Sequence, residues 1–392
     1  MIPPEPEPDA AGAASTAFRA EERVVALRAA LEAAAEAAGS RRFLILTHRS
    51  PDPDAMGAAV GMQLLIEQAF GLEATVATVG RIHRAENLAM VRELDLEFAD
   101  SETIDHAPFA GLVLVDTQPS FGHTQIPGEL PVVAVIDHHE PPEEDVEQDE
   151  GSPRKDDPTD PPLADGVHED IRVGVGATSS MVFEYLRSAG VDPDPRTAGA
   201  IFCGVRYDTG DLGEGVTELD QRAWFQCFRR ADQAALQRIQ RPALPPEYFA
   251  QLASALRLAR SHGRMVLCLL GEVVNPEAVA EMADFFVRLE GCRWSLVGGA
   301  YEGRYYLSLR TSAGERGAYT LLGVVLDGQG SFGGHGRIAG GRVDLDDPGE
   351  VAVRELERTL RERVLALLEP GGAGPSEDGG PTSELRLGRP LA

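Results

Sequence analysis

The sequence predicts an α/β protein: an N-terminal domain built on a parallel sheet, followed by a smaller α/β domain with a mixed sheet and an active-site cleft between them. Three observations carry this reading. Apolar runs of strand length at 43–46, 111–115 and 132–136 alternate with helical patterns, the signature of βαβ units and of helices on both sides of a sheet. Each run leads directly into acids or histidines: Thr47-His48 with Asp52 and Asp54 beyond, Asp116, and Asp137-His138-His139. Ligands of open α/β sheets bind outside the carboxyl ends of the strands, so these groups converge. After 241–246, which holds three prolines in six residues, the strand and helix alternation restarts.

Taken in order, residues 1–16 are rich in Pro, Ala and Glu and are expected to be a disordered tail. The N-terminal domain spans 17–240 and opens with an amphipathic helix over 18–38. The first strand and its acidic loop follow, then a helix over 55–70 stopped by Gly71, a second strand at 74–79, and a loop at 81–87 opening a helix to Leu94. Residues 140–170 are acidic and poor in apolar side chains, which predicts a disordered insertion beside the site. Helical patterns return at 177–188, 195–205 and 218–240; the run Ile201-Phe202-Cys203-Gly204-Val205, followed by Asp208-Thr209, also looks like one more apolar run leading into an acid. Beyond the 241–246 linker the second domain covers 247–368. It is read as helix 247–260, strand 264–270, helix 276–289, an antiparallel pair 293–301 and 305–309 across Glu302-Gly303, helix 319–326, a glycine-dense loop 328–341 and a last helix 347–368. The Gly/Pro-rich 369–392 is expected to be a second disordered tail.

His48, Asp52, Asp54, Asp116, His138 and Asp208 offer four carboxylates and two imidazoles. With one bridging carboxylate this set serves two divalent ions at roughly 3.5–4 Å separation, the clamp used in phosphoryl hydrolysis. Mixed oxygen and nitrogen ligands without thiolate suit manganese in the first place and magnesium as the alternative, rather than structural zinc. Asp137 is placed to accept a ring N–H from a ligand histidine, which leaves His139 to face substrate. The competing reading of 47–57 is a solvated loop whose aspartates cap the next helix. His83, His106, His123, His168 and His262 lack acidic partners at ligand spacing, Asp211 reads as a loop residue, and Asn87 lies in a loop near the site.

With those residues in view, the chain resembles the DHH phosphoesterase superfamily: H-x-x-P-D-x-D-A-x-G at 48–57, the strand-end Asp116, D-H-H at 137–139 and Asp208-Thr209. The second half resembles the DHHA1 domain, with S-L-R-T at 308–311 and G-G-H-x-x-x-A-G at 333–340. The subgroup it is most similar to is that of the compact nano-RNases, which also include pAp phosphatases and cyclic-dinucleotide phosphodiesterases. The resemblance implies two metals, one on His48, Asp52 and Asp116 and the other on Asp54, Asp116, His138 and Asp208. It implies that His139 contacts the scissile phosphate, and that Arg310, Thr311, Gly333, Gly334 and His335 grip the nucleotide. Ile338 departs from the family's glycine loop, which carries alanine there. The implied activity is hydrolysis of short oligoribonucleotides or pAp. The alternatives are a soluble cyclic-dinucleotide phosphodiesterase, a manganese pyrophosphatase-like hydrolase and an inactive nucleotide-binding sensor.

A formal charge of −27 opposes binding to duplex nucleic acid, while leaving short phosphate ligands held through cations. No segment reads as a signal peptide or membrane span, so the expectation is a cytoplasmic protein without membrane partners. A homodimer is compatible with these readings. Cys203, Cys227, Cys268 and Cys292 are far apart and read as buried thiols.

Overall fold

The computed structural model describes residues 10–121, 124, 126–128, 130–140, 163–213, 215–312, 317–345, 349–368 and 389–390, and for 10–18, 165, 335 and 389–390 the backbone alone. The chain divides into two compact units, Met1–Pro242 and Ala243–Ala392.

The first unit runs α1 (Ala10–Ala38), β1 (Arg42–Leu46), α2 (Pro53–Phe70), β2 (Glu73–Thr78), α3 (Ala85–Glu93), β3 (Ala99–Asp100), β4 (Gly111–Val115), β5 (Val132–Asp137), β6 (Leu163–Ile171), α4 (Thr178–Ser188), α5 (Pro195–Asp208), α6 (Glu218–Arg230) and α7 (Gln233–Gln240). Its six strands lie in the order β3-β2-β1-β4-β5-β6 with every pairing parallel. The central strands are fully buried, as strands covered on both faces must be. Alternation splits them between two cores. Phe43 and Ile45 pack with Met56, Met62, Ile66, Met181 and Ile201 from the helices, whereas Leu44 and Leu46 face Leu112 and Leu114 in the other core. That second core draws on connecting segments, through Ile104, Phe109, Ile126 and Leu130, and among the described residues no helix contributes to it. The expectation of helices on both faces is corrected accordingly.

Three further expectations for this unit are revised. Helix α1 begins at Ala10, so residues 10–16 are helical and do not belong to a disordered tail. The acidic insertion does not extend to 170: residues 163–170 belong to β6, which pairs with β5 in the register Ala134↔His168 and Asp137↔Ile171. Its sequence is polar and interrupted by Gly166, as an edge strand tolerates. Residues 141–162 lie outside the described residues. The apolar run 201–205 lies inside α5 and is no strand, and the helical pattern over 218–240 is broken into α6 and α7, with Asp232 capping the second.

The second unit runs α8 (Pro246–Leu258), β7 (Arg260–His262), β8 (Met265–Glu272), α9 (Glu277–Phe286), β9 (Trp294–Tyr301), β10 (Arg304–Thr311), α10 (Ala318–Leu326), β11 (Ser331–His335), β12 (Ile338–Asp344), α11 (Glu350–Leu368) and β13 (Arg389–Pro390). The sheet order is β11-β12-β10-β9-β8-β7-β13, mixed because only β8 and β9 are parallel. Helices α10 and α11 cover one face through Leu322, Val353 and Leu360, and α8 and α9 the other through Ala255, Met282 and Phe286. The glycine-dense stretch is a β-hairpin, not a loop. Gly334 lies at φ 141 on β11, where an added Cβ would stand 2.2 Å from the Ile338 carbonyl oxygen. Residues 369–388, read as tail, lie outside the described residues, but Arg389–Pro390 pairs with β7 as a short strand.

Candidate metal centre

The loop after β1 turns into α2 through two prolines and an aspartate that does two jobs. Asp52 is the helix N-cap, its Oδ1 accepting from the Asp54 and Ala55 N–H groups at 2.9 and 3.0 Å. The same oxygen lies 3.9 Å from His48 Nε2. The capping reading and the ligand reading therefore hold together. Buried Asn87 braces the loop by donating to the Pro51 carbonyl oxygen at 3.3 Å.

Asp116 follows β4 with φ at 58, a left-handed conformation that costs a non-glycine residue about 1–3 kcal/mol and clusters at functional sites. The strained backbone aims its buried carboxylate into the pocket. Oδ2 lies 3.7 Å from His48 Nε2, and Oδ1 lies 3.7 Å from His138 Nε2. His138 Nε2 also stands 4.0 Å from Asp54 Oδ2 and 3.0 Å from Asp208 Oδ2. Two ligand groups result, His48 with Asp52 and Asp116, and Asp54 with His138 and Asp208, the donor atoms within each lying within 4.8 Å of one another. Asp116 joins His138 and His139 in a third such group, so one carboxylate reaches both sides of the pocket.

The electrostatics call for added positive charge. Burial and the Asp116 charge push Asp54 up to about 7. Burial and Asp54 hold Asp208 at about 7, and burial and Asp52 hold Asp116 at about 6. Burial opposes charge on the histidines, yet Asp52 lifts His48 to about 10 and Asp208 lifts His138 to about 11. Burial likewise works against the Asp52 anion, but His48 and the α2 N–H groups outweigh it and bring Asp52 down to about 2.

His138 supplies a more direct test of fit. Its Nδ1–H donates to the Val175 carbonyl oxygen at 2.9 Å, which directs Nε2 toward the carboxylates. That Nε2 is buried and, close as Asp208 Oδ2 is, makes no well-aligned hydrogen bond. A buried ring nitrogen crowded by three carboxylates is a setting that a divalent cation would satisfy, and the donor set suits manganese or magnesium.

His139 and Asp137 form the other half of the centre. The His139 ring Nδ1–H donates to Asp137 Oδ1 at 2.8 Å. Asp137 also accepts from the His138 N–H at 2.8 Å and from Gln118 Nε2 at 2.8 Å. The histidine that Asp137 orients is His139, while the Val175 carbonyl orients His138. Burial disfavours the His139 cation, but Asp137 and Asp116 hold its pKa above the ordinary value. Burial also disfavours the Asp137 anion, but the His139 ring, with help from Gln118, holds its pKa below the usual range.

The residues expected to grip the nucleotide lie in the second unit. Arg310 donates through Nε to Asp284 and through Nη1 to Ser308 Oγ at 2.8 Å. Thr311 is buried, and its N–H donates to the Arg337 carbonyl oxygen at 2.9 Å. As neighbours on β10, the two side chains leave the sheet on opposite faces. Gly333 and Gly334 are exposed on β11, with Gly334 in register with Ala339, and the His335 backbone pairs with Ile338. Ile338 is 48% exposed and also pairs with Arg310.

Sequence reasoning missed Thr178 and Ser179 at the start of α4. The Thr178 N–H donates to Asp54 Oδ2 at 2.6 Å and the Ser179 N–H to Oδ1 at 2.9 Å, while Thr178 Oγ1 donates to Asp116 Oδ1 at 2.8 Å. The Asp54 carboxylate thus sits on the N-terminus of a helix, where N–H groups and dipole favour the anion. The signal was Thr178-Ser179-Ser180 opening an apolar helix, a hydroxyl cluster with a capping look. Of the remaining candidates, Asp211 pairs with Arg206 at 3.0 Å, His106 bonds the Ser101 carbonyl oxygen at 3.1 Å, and His168 is buried against Tyr185. His123 lies outside the described residues.

A parallel α/β sheet gathers at its carboxyl edge aspartates and histidines that could hold divalent cations. Residues 42–205 match the DHH family, N-terminal domain. The chain is 30% identical over 325 residues to the uncharacterized protein MJ1633 of Methanocaldococcus jannaschii, a match covering 82% of this chain and 62% of the relative. It therefore spans less than two thirds of that relative's length. An exopolyphosphatase-related protein from Bacteroides fragilis shares the fold at a TM-score of 0.54 and 14% identity, over 86% of this chain and 97% of that one. RecJ from Thermus thermophilus, solved in complex with Mn2+, aligns at a TM-score of 0.45 and 14% identity, over 89% of this chain and 56% of that one. Among the described residues no helix is long and apolar enough to cross a membrane.

Proposed function

We propose that the chain is a phosphoesterase that hydrolyses short nucleotide substrates, short oligoribonucleotides or pAp, on two divalent cations with manganese preferred. The observation that carries the reading is the division of the Asp116 carboxylate between two histidine-containing ligand groups, one at each of its oxygens. When bound, the cations would supply Lewis-acid polarisation of a phosphoryl oxygen and a lowered pKa for attacking water.

The chain's own residues do the rest. His48, Asp52 and Asp116 would hold one ion, and Asp54, Asp116, His138 and Asp208 the other, with Thr178 and Ser179 fixing the carboxylates between them. His139, held by Asp137, presents its second ring nitrogen as a cationic donor for a phosphoryl or leaving-group oxygen. In the second unit, Arg310 with the Gly333-Gly334-His335 strand is assigned to a second phosphate, because a guanidinium fork and glycine backbone N–H groups match phosphate oxygens. Thr311 contributes there through its place in the strand, its side chain being buried. The substrate is kept short by the −27 charge, which repels a long polyanion lacking a second grip.

Purified protein with Mn2+ is incubated with pAp, a dinucleotide, a 24-mer and a cyclic dinucleotide. The reading expects pAp or the dinucleotide to be turned over at least tenfold faster than the 24-mer. A 24-mer degraded as fast as the dinucleotide, or no hydrolysis of any of the four, would overturn it.

A further inference from the structure

Asp220, at the start of α6, is fully buried, and its Oδ2 accepts three hydrogen bonds. Two come from Thr217, through its N–H at 2.8 Å and its hydroxyl at 2.6 Å; the first, with the Asp220 N–H donating to Thr217 Oγ1 at 3.3 Å, makes a helix capping box. The third comes from the Gly176 N–H at 3.0 Å, from a different part of the chain. Asp220 Oδ1 is buried with no hydrogen-bond partner among the described residues. A buried polar atom left without a partner is costly, so the placement of Asp220 calls for a reason beyond capping.

What Asp220 touches accounts for that cost. Gly176 lies in 175–179, the segment that supplies four bonds to the centre: the Val175 carbonyl to His138, the Thr178 and Ser179 N–H groups to Asp54, and the Thr178 hydroxyl to Asp116. A Cβ on Gly176 would stand 2.7 Å from Thr209 Cγ2 and 2.9 Å from Asp220 Oδ2, so the segment is pinched between Asp220 and the residue that follows Asp208. One buried carboxylate therefore holds, through the Gly176 N–H, the segment that supports Asp54 and His138, and forms no hydrogen bond with any of the three candidate ligands.

We infer that Asp220 is a positioning residue for the cation group of Asp54, His138 and Asp208, acting through the Gly176 N–H; this rests on the two-cation reading above. Groups that support metal ligands typically set affinity by ~10- to 100-fold. The test is Mn2+ binding by calorimetry on the full chain, alongside thermal unfolding of the metal-free protein. Asp220→Ala is expected to weaken one of two Mn2+ sites about tenfold or more, and Asp220→Asn, which keeps an acceptor for Gly176, to restore most of that loss. Thr217→Val is the comparison: it removes the hydroxyl arm of the cap but leaves the Asp220 carboxylate for Gly176, and is expected to lower Tm with a clearly smaller loss of Mn2+ affinity than Asp220→Ala. Should Asp220→Ala fail to fold, Gly176→Ala disturbs the same contact from the other side and is expected to lose the same single site. Wild-type affinities at both sites in Asp220→Ala or Gly176→Ala, or an equal affinity loss in Thr217→Val, would overturn the inference. A wild-type chain that binds fewer than two Mn2+ would instead contradict the two-cation reading.

Discussion

Asp137 Oδ1 receives the ring N–H of His139 at 2.8 Å, and Asp137 is wholly buried at the end of β5. The pair fixes the tautomer and rotation of His139, so the second ring nitrogen is presented as donor rather than left to drift. Removing His139 is expected to cost ~10²–10⁴-fold in kcat for nucleotide substrates, the range for a positioned proton donor. Asp137→Asn should lose a smaller part of it. Bis-p-nitrophenyl phosphate, whose leaving group departs as an anion, should be affected far less. Equal loss on both substrate types in steady-state assays would assign His139 to metal or structure instead.

The helix packing that builds the centre depends on Gly204. A Cβ there would stand 2.2 Å from Ser179 Oγ and 2.8 Å from Asp54 Oδ1, in a core with no room to yield. Gly204→Ala is expected to destabilise the protein by about 1–3 kcal/mol, the usual cost of overpacking. It should also weaken Mn2+ binding. A variant with unchanged denaturant midpoint and unchanged Mn2+ affinity would refute the packing argument.

A buried network away from the centre contributes to the acid stability of the first unit. Arg172 bonds Asp170 at 2.6 Å and also pairs with Glu184, Tyr185 Oη donates to Asp170 at 2.9 Å, and His168 Nε2 lies 2.8 Å from Tyr185 Oη. Burial disfavours the Asp170 anion, but Arg172 outweighs it and holds its pKa below the ordinary 3.8. The stability this contributes is complete above 3.8 and is lost as pH falls through the folded value. Burial lowers His168 below 6.5, so the folded state resists a proton that the unfolded state accepts, and stability falls as pH drops below 6.5. Thermal scans of metal-free protein from neutral to acidic pH should therefore show a smaller decline below 6.5 for His168→Gln than for wild type. Asp170→Asn should be destabilised at neutral pH, by up to about 3–5 kcal/mol for a broken buried pair, with the gap to wild type closing in acid. Parallel curves for all three proteins would contradict the assignment.

Arg310 is the residue assigned to the second substrate phosphate. Arg310→Ala is expected to lower kcat/KM for pAp or a dinucleotide about 10- to 150-fold, the worth of a charge-assisted hydrogen bond. Bis-p-nitrophenyl phosphate, which needs only the cations, should be hydrolysed at the wild-type rate. A parallel loss on both would remove Arg310 from substrate recognition.

How much of this was legible in the sequence follows from where each signal lies. The runs 43–46, 111–115 and 132–136 are continuous apolar segments because their strands are buried on both faces, and the ligands at their ends were readable as soon as the sheet was. Asp208 stood out as a ligand candidate although the run before it also passed for a strand, since five apolar residues inside α5 carry no period that separates helix from strand. Strand β6 was missed because an edge strand with Asp, Gly, His and Glu looks like the acidic segment it follows. The 328–341 glycines were read as a loop, whereas Gly334 serves close backbone approach within a hairpin. Thr178, Ser179 and Asp220 were out of reach for a different reason. Their bonds join positions up to 125 residues apart, and nothing local in either partner announces the other.

The claim on which the account turns is that Asp116 serves two cations. The direct measurement is the number of Mn2+ ions bound by the folded wild-type chain and by Asp116→Ala, by calorimetry. The account predicts two for wild type, at most one at comparable affinity for Asp116→Ala, and a rate in that variant below about a tenth of wild type, since losing a ligand to both ions costs well over one log unit of rate. A folded Asp116→Ala that still binds two Mn2+ with wild-type affinity and hydrolyses pAp or a dinucleotide at more than about a tenth of the wild-type rate would contradict it.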